Sequence, residues 1–156
     1  MKKLPSLEGV QLAASRLNSV IRKTPWEFNK RLSELTGASI FFKREDLQQV
    51  RSFKIRGAYN KISSLSEGER KRGIVCASAG NHAQGFAFSC KKMQIKGIVY
   101  MPATTPQQKV SQVRMFGGEY IQVVLTGDNF DTCQKYALKF AKKENKTFIH
   151  PFDDIK

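Results

Sequence analysis

Residues 73–85, GIVCASAGNHAQG, carry the signals that decide the fold. The first five residues are a short apolar run, which is typical of a strand buried in a parallel sheet. Ser78 to Asn81 form a turn of small and polar residues, and apolar side chains then recur at helical spacing from Ala83 to Cys90. The sequence predicts a strand, a turn and a helix whose first N–H groups can bind an anion. An ordinary loop between a strand and a helix has the same pattern, so this segment alone leaves both interpretations open.

The alternation of strand and helix signals continues after this segment. Strands are predicted at 97–101, 119–125 and 147–150, and helical periods separate them, with Asp128 as the expected cap of the last helix. Such regular alternation predicts an α/β fold in which a parallel sheet is flanked by helices on both faces.

The first part of the chain has a different pattern. Apolar residues from Leu7 to Ile21 predict one amphipathic helix, a second short helix ends at Gly37, and residues 39–43 predict a strand. We expect part of the apolar surface of this segment to be exposed.

One lysine stands at the start of a further helix. Apolar side chains recur at helical spacing from Ile55 to Leu65, and Ser52 is the expected N-cap, so Lys54 lies in the first turn. A cation at that end opposes the helix dipole, and a covalent bond to the nitrogen relieves the conflict. A solvated surface lysine is the alternative, since the chain has 27 lysines and arginines.

The segments KREDL at 43–47, SFKIRGA at 52–58 and SAGNH at 78–82 resemble, in order and spacing, the motifs of one enzyme family. This family is the threonine dehydratase and serine racemase branch of the fold-type II pyridoxal phosphate enzymes, and the resemblance extends to HPFDD at 150–154. It implies a tryptophan synthase β-like fold. It also implies that residues 1–72 are the N-terminal part of a large cofactor domain, and that 73–156 form a small α/β domain after a polar boundary at 67–73.

The resemblance also implies a role for each site residue. Lys54 would hold pyridoxal 5'-phosphate through an imine and move the substrate Cα proton, and Phe53 would pack beside the pyridine ring. Asn81 would hydrogen-bond the 3-hydroxyl oxygen of the cofactor. The substrate carboxylate would be held, largely through backbone N–H groups, by Ser78, Ala79, Gly80, Asn81 and His82.

The implied reaction is the deamination of threonine to 2-oxobutanoate and ammonia in isoleucine biosynthesis, or of serine to pyruvate. Ile55 follows the lysine, where cysteine synthases and threonine synthases have an acidic residue. This difference favours a dehydratase or a racemase over an enzyme of β-replacement, and it leaves those two open.

The family's glycine-rich loop for the cofactor phosphate follows the segment at 150–154. The longest run of glycines here is Gly117-Gly118, so we expect a truncated chain that is inactive alone and needs a complementary C-terminal polypeptide. A homo-oligomer is a further expectation. The alternative is a catalytically incomplete product or an isolated small domain.

Charge and composition bound other classes of function. The net charge is +14, which permits binding of nucleic acid by a basic module, but the basic residues are dispersed and no aromatic-interleaved RNA motif accompanies them. Three scattered cysteines and two histidines lack the spacing of a metal site, and Cys76 and Cys90 are expected in the core, reduced. Neither a signal-peptide pattern nor an apolar run of membrane-spanning length is evident, so the expected location is the cytoplasm.

Overall fold

A computed structural model describes residues 5–154. The helices and strands in this range follow the chain in the order α1 (Leu7–Leu17), β1 (Trp26–Phe28), α2 (Lys30–Thr36), β2 (Phe41–Lys43), α3 (Lys54–Ser63), α4 (Glu67–Arg72), β3 (Ile74–Ala77), α5 (Asn81–Met93), β4 (Gly97–Met101), α6 (Gln107–Gly117), β5 (Ile121–Leu125), α7 (Phe130–Lys143) and β6 (Thr147–Phe148). Short 3-10 helices cover Glu45–Leu47 and Gly118–Tyr120.

Four strands form a parallel sheet in the order β5-β4-β3-β6. Ile74 pairs with Gly97 on one side and with Thr147 on the other, while Gly97 also pairs with Ile121. Because a helix follows each of β3, β4 and β5, the carboxyl ends of the strands lie at one edge of the sheet. The predicted parallel sheet is confirmed, although β5 begins two residues later than expected.

Helices cover both faces of this sheet, as predicted. Alternate residues of β3 point to opposite faces, so Cys76 packs with Phe86 of α5 on one face, while Val75 packs with Ala137 of α7 on the other. Cys76 and Cys90 are buried and free, which confirms their expected place in the core.

Helix α3 lies tightly against α5. A Cβ atom added to Gly85 would lie 3.1 Å from the carbonyl oxygen of Lys54, so only glycine allows this approach without movement of the α3 backbone. Ile62 and Leu65 belong to the same core cluster as the sheet residues. These contacts cross the candidate boundary at 67–73, and the division into two domains stays a prediction.

The first part of the chain has little core of its own. Strands β1 and β2 pair antiparallel, with Trp26 opposite Lys43, and Trp26 and Phe41 are 67% and 52% exposed. In α1 only Leu17 is buried, and the helix ends there, four residues before the predicted end at Ile21. The expected exposure of apolar surface is confirmed.

Two helix caps were wrongly placed by sequence reasoning. Phe53 precedes α3 in a helical conformation, and the buried Oγ of Ser52 has no hydrogen-bond partner within residues 5–154. Asp128 is not the cap of α7, because Asn129 takes that position and its Oδ1 accepts the N–H of Thr132 at 2.9 Å.

Candidate active site

The candidate site is centred on the amine of Lys54, which the first turn of α3 carries next to the start of α5. Lys54 Nζ donates to the carbonyl oxygen of Pro151 at 2.7 Å. It also lies 5.4 Å from the ring centroid of Phe53 and 5.1 Å from that of Phe152, within cation–π range. Both rings are more than half exposed, so their faces are accessible to a flat molecule beside the amine.

The turn after β3 presents free backbone donors at the carboxyl edge of the sheet. Ser78 Oγ accepts the N–H of Gly80 at 3.2 Å, which closes the turn, and α5 begins at the exposed Asn81. The first backbone bond of this helix runs from Gln84 N to Gly80 O. The N–H groups of the residues before Gln84 therefore have no partner in the helix, as at any helix start, and they suit a carboxylate.

Space is available at this turn. A Cβ atom added to Gly80 would meet no atom within 4 Å, so the backbone there borders an open region. Ala79 is only partly buried and packs against the core cluster on one face of the sheet.

His82 connects the turn to the lysine electrostatically. The side chain is 5% exposed, and its Nε2 lies 3.2 Å from the carbonyl oxygen of Ile149. Burial lowers the pKa of His82 to about 4, and the nearby Lys54 cation adds to this lowering. The imidazole is therefore neutral at pH 7, and with a proton on Nε2 it donates to Ile149.

The carboxylate of Glu45 links two segments of the recognised pattern, 43–47 and 52–58, through its hydrogen bonds with Arg56. Arg56, two residues after Lys54, donates from Nε and Nη2 to the two oxygens of Glu45 at 2.8 Å each. Thr24 Oγ1 donates to the same carboxylate at 2.6 Å. The hydrogen bonds from Arg56, followed by those from Thr24 and Gln48, hold the pKa of Glu45 at about 2.

Sequence reasoning grouped Lys54, Phe53 and the turn, but it assigned no role to the segment 150–154. This segment crosses the carboxyl edge of the sheet and supplies the carbonyl and the second ring next to the amine. His150 Nδ1 accepts the N–H groups of Phe152 and Asp153, and Asp154 forms a 2.6 Å ion pair with Lys61. The signal was present, since HPFDD was part of the recognised pattern, but its distance from Lys54 along the chain hid the contact.

Two further kinds of feature, metal-binding groups and membrane-spanning helices, are absent from residues 5–154. Within residues 5–154, His, Cys, Asp and Glu side chains do not gather into a group that could hold a metal ion. Over the same range the structure has no helix with the length and apolar character needed to cross a membrane.

Comparison with known proteins defines the class. The family described as "Pyridoxal-phosphate dependent enzyme" matches residues 17–156. The chain belongs to this family of pyridoxal-phosphate dependent enzymes.

Individual relatives narrow the comparison. The biosynthetic L-threonine dehydratase IlvA of Bacillus subtilis (strain 168) is 55% identical over 142 residues, which are 91% of this chain and 34% of that protein. Processed threonine deaminase isoform 2 from Solanum lycopersicum has a TM-score of 0.85 at 44% identity, over 94% of this chain and 39% of its own. Maize serine racemase has a TM-score of 0.88 at 26% identity, over 97% of this chain and 45% of its own. The resemblance to the dehydratase and racemase branch is confirmed, and the chain spans about a third of the length of the curated relatives it matches.

The residues at this site are suited to hold the ring of pyridoxal phosphate and an anionic group next to that ring. A primary amine lies within about 5.5 Å of two accessible aromatic rings, which suits a covalently held pyridine ring. Open space at Gly80 and the free N–H groups at the start of α5 suit an anionic group next to that ring.

Proposed function

We propose that this chain is a segment of a pyridoxal phosphate-dependent threonine dehydratase, which deaminates threonine to 2-oxobutanoate and ammonia in isoleucine biosynthesis. One observation carries the proposal: the Lys54 amine lies 5.4 and 5.1 Å from the ring centroids of Phe53 and Phe152, and it is close enough to His82, in the first turn of α5, to act on the charge of that side chain. The 55% identity to a biosynthetic L-threonine dehydratase supports threonine as the substrate.

The cofactor, when bound, supplies the electron sink that makes loss of a Cα proton possible. Lys54 would hold the cofactor and, when the substrate amine takes its place there, its free Nζ would accept the Cα proton. Phe53 and Phe152, whose ring centroids lie 5.4 and 5.1 Å from the amine, would offer apolar surface to the cofactor ring.

The turn after β3 orients the substrate. The backbone N–H groups at the start of α5 bind the carboxylate, with Ser78, Ala79, Gly80, Asn81 and His82 as the segment that forms the cradle. Asn81 is exposed at the start of α5, and its side-chain amide is the proposed hydrogen-bond partner of the 3-hydroxyl oxygen of the cofactor. His82 stays neutral next to Lys54 and therefore adds no second positive charge at this place.

We also propose that a polypeptide of residues 1–156 alone catalyses this reaction only poorly. The resemblance assigns the phosphate to a glycine-rich loop that follows residues 150–154, and the phosphate carries close to two negative charges that require several donors. Positioning contributes about 7–11 kcal/mol to such reactions, so without that loop turnover falls by many orders of magnitude. A complementary C-terminal polypeptide would complete the site; a homo-oligomer is a separate part of the proposal, and the cytoplasm is the proposed location.

The test compares Lys54→Ala with Lys109→Ala, which removes an exposed lysine from the first turn of α6. Both are made in residues 1–156 and in a polypeptide as long as the curated relatives, with threonine and added pyridoxal phosphate. We expect 2-oxobutanoate from the long protein, its loss in Lys54→Ala, normal activity in Lys109→Ala, and little product from residues 1–156. Activity that survives in Lys54→Ala would refute the assigned lysine, and racemised serine without 2-oxobutanoate would refute the dehydratase.

A further inference from the structure

The carboxylate of Glu45 lies at a junction of three separate chain segments. It accepts two hydrogen bonds from Arg56 of α3 and one from Thr24, and it belongs itself to the 3-10 helix Glu45–Leu47. Gln48 donates to both of its oxygens at 3.4 Å, and the Gln48 amide also donates to the carbonyl of Arg22 at 2.9 Å. The Glu45 side chain is 16% exposed, so solvent screens these bonds only in part.

Helix α3 needs such a carboxylate more than most helices do. Its first turn contains two cations, Lys54 and Arg56, although the dipole of a helix favours acids at that end. Within residues 5–154 its free N–H groups have no side-chain cap, since the residue before it is Phe53. Glu45, in the 3-10 helix that precedes α3, supplies the negative charge that neither a cap nor a first-turn acid provides.

The Glu45–Arg56 pair also fixes the direction in which the helix starts. Two parallel N–H···O bonds from a planar guanidinium define both a distance and an orientation. The backbone of α3 at Lys54 is also held by the close approach of Gly85. Two contacts, a tight helix approach and a bidentate ion pair, therefore hold the first turn.

We propose that Glu45 and Arg56 are positioning residues, which hold the first turn of α3 so that the Lys54 amine faces the turn after β3. The inference rests on the proposed function only in taking Lys54 as the amine that holds the cofactor. A purely structural role would change the stability of the fold, whereas a positioning role changes what the amine does in protein that is still folded.

The test measures the amine directly and turnover separately. Glu45→Gln keeps the size of the side chain and removes its charge, and Asp46→Asn is the matched control, since Asp46 pairs with Arg44 on the same 3-10 helix at the surface. Each variant is made in the polypeptide that is as long as the curated relatives, and its folding is checked by circular dichroism. It is then incubated with pyridoxal phosphate and reduced with borohydride. The fraction of cofactor trapped on the Lys54 peptide is counted by mass spectrometry, and kcat and KM for threonine are determined in parallel.

We expect Glu45→Gln to lower the fraction of cofactor trapped on Lys54 about tenfold and to lower kcat by about 10- to 100-fold, while KM changes by less than about threefold. Arg56→Lys, which keeps one ion pair and loses the second bond, should fall between Glu45→Gln and the wild type. Asp46→Asn should match the wild type in both measurements.

Folded Glu45→Gln with wild-type trapping and kcat would overturn the inference, whatever its melting temperature. If Glu45→Gln does not fold, Arg56→Lys decides alone, and wild-type trapping in that variant would overturn it. Failure of the proposed function gives a different result, because the wild type then releases no 2-oxobutanoate while trapping still reports whether Glu45 positions the amine.

Discussion

The sheet region, residues 54–154, and the front region, residues 7–47, use the same kinds of side chain with opposite results. Phe86 in the sheet region is fully buried, whereas Phe41, Trp26 and Phe28 in the front region are each more than half exposed. The sheet region buries apolar residues from both faces of one sheet, while the front region offers its two paired strands no covering layer among the described residues. Its apolar residues therefore contribute little stability through contacts of their own.

Lys54 lies where the two regions meet. Its helix, α3, packs with the sheet residues through Ile62, while Arg56 at the start of the same helix is bonded to Glu45 of the front region. The catalytic candidate, Lys54, thus lies between a rigid core and a region with few buried contacts. The position of the Lys54 amine therefore depends on contacts with both regions, and a stable core alone would not fix it.

The largest expected effect compares one truncation in each region. Phe86→Ala leaves a cavity in a fully packed core and should lower the free energy of unfolding by about 3–5 kcal/mol. Phe41→Ala removes a half-exposed ring that contacts Phe28 at a centroid distance of 5.4 Å, and it should cost less than about 1 kcal/mol. Chemical denaturation followed by circular dichroism measures both changes.

The lone tryptophan, Trp26, reports on the front region in the same experiment. We expect its fluorescence change to precede the loss of helix signal, because the front region opens at lower free energy. Equal costs for the two alanine variants, with coincident transitions, would show that the two regions share one core and would remove the comparison.

The second prediction concerns pH and the sheet region alone, which contains both histidines, His82 and His150. Burial lowers the pKa of His82 to about 4, from an ordinary value of 6.5. Above pH 6.5 both folded and unfolded chains have this group neutral, and as pH falls from 6.5 to 4 the unfolded chain takes up the proton first. Stability should therefore decline over this range, by up to about 3 kcal/mol.

The decline is measured as the free energy of unfolding at pH 7, 6, 5.5 and 5, above the ordinary pKa of 4.5 at which the unfolded chain protonates Glu45. The matched variant is His82→Gln, which keeps a donor for the carbonyl of Ile149 and does not titrate. Its stability should be lower at pH 7 but should change less with pH. A slope equal to that of the wild type would assign the pH effect to groups other than His82.

Much of the sheet region could be predicted from the sequence because its signals are local. Each strand is a short apolar run and each helix has its own period, so the parallel order followed from alternation. The end of α1 could not be predicted in this way: the apolar spacing continues to Ile21, but the chain leaves the helix after Leu17. A period shows which residues share a face, and it does not show whether anything covers that face.

The site was predictable where its residues are neighbours in sequence, as with Phe53 and Lys54. Its remaining parts come from contacts that no local pattern indicates: Pro151 lies 97 residues from Lys54 along the chain, and Glu45 bonds Arg56 from a separate element 11 residues away. The caps show the same limit on a smaller scale. Ser52 and Asp128 are residues of the right type at nearly the right place, and the hydrogen bond that defines a cap depends on one residue of register.

Caps also allow the smallest and most closely matched comparison between the regions. Asn29 caps α2 in the front region and Asn129 caps α7 in the sheet region, and each Oδ1 accepts a backbone N–H, of Leu32 or Thr132, at 2.9 Å. Helix α2 buries no residue, while α7 buries part of the core. Asn129→Ala should therefore lower the free energy of global unfolding by about 1 kcal/mol, whereas Asn29→Ala should cost less than about 0.5 kcal/mol, because α2 can open without the core. Asp128→Ala is the control for the position of the cap, with an expected change of a few tenths of a kcal/mol from the helix dipole. Denaturant titrations of the three variants decide the matter: equal costs for the two asparagines would mean that α2 unfolds together with the sheet, and a larger cost for Asp128→Ala than for Asn129→Ala would restore the cap to the residue that the sequence suggested.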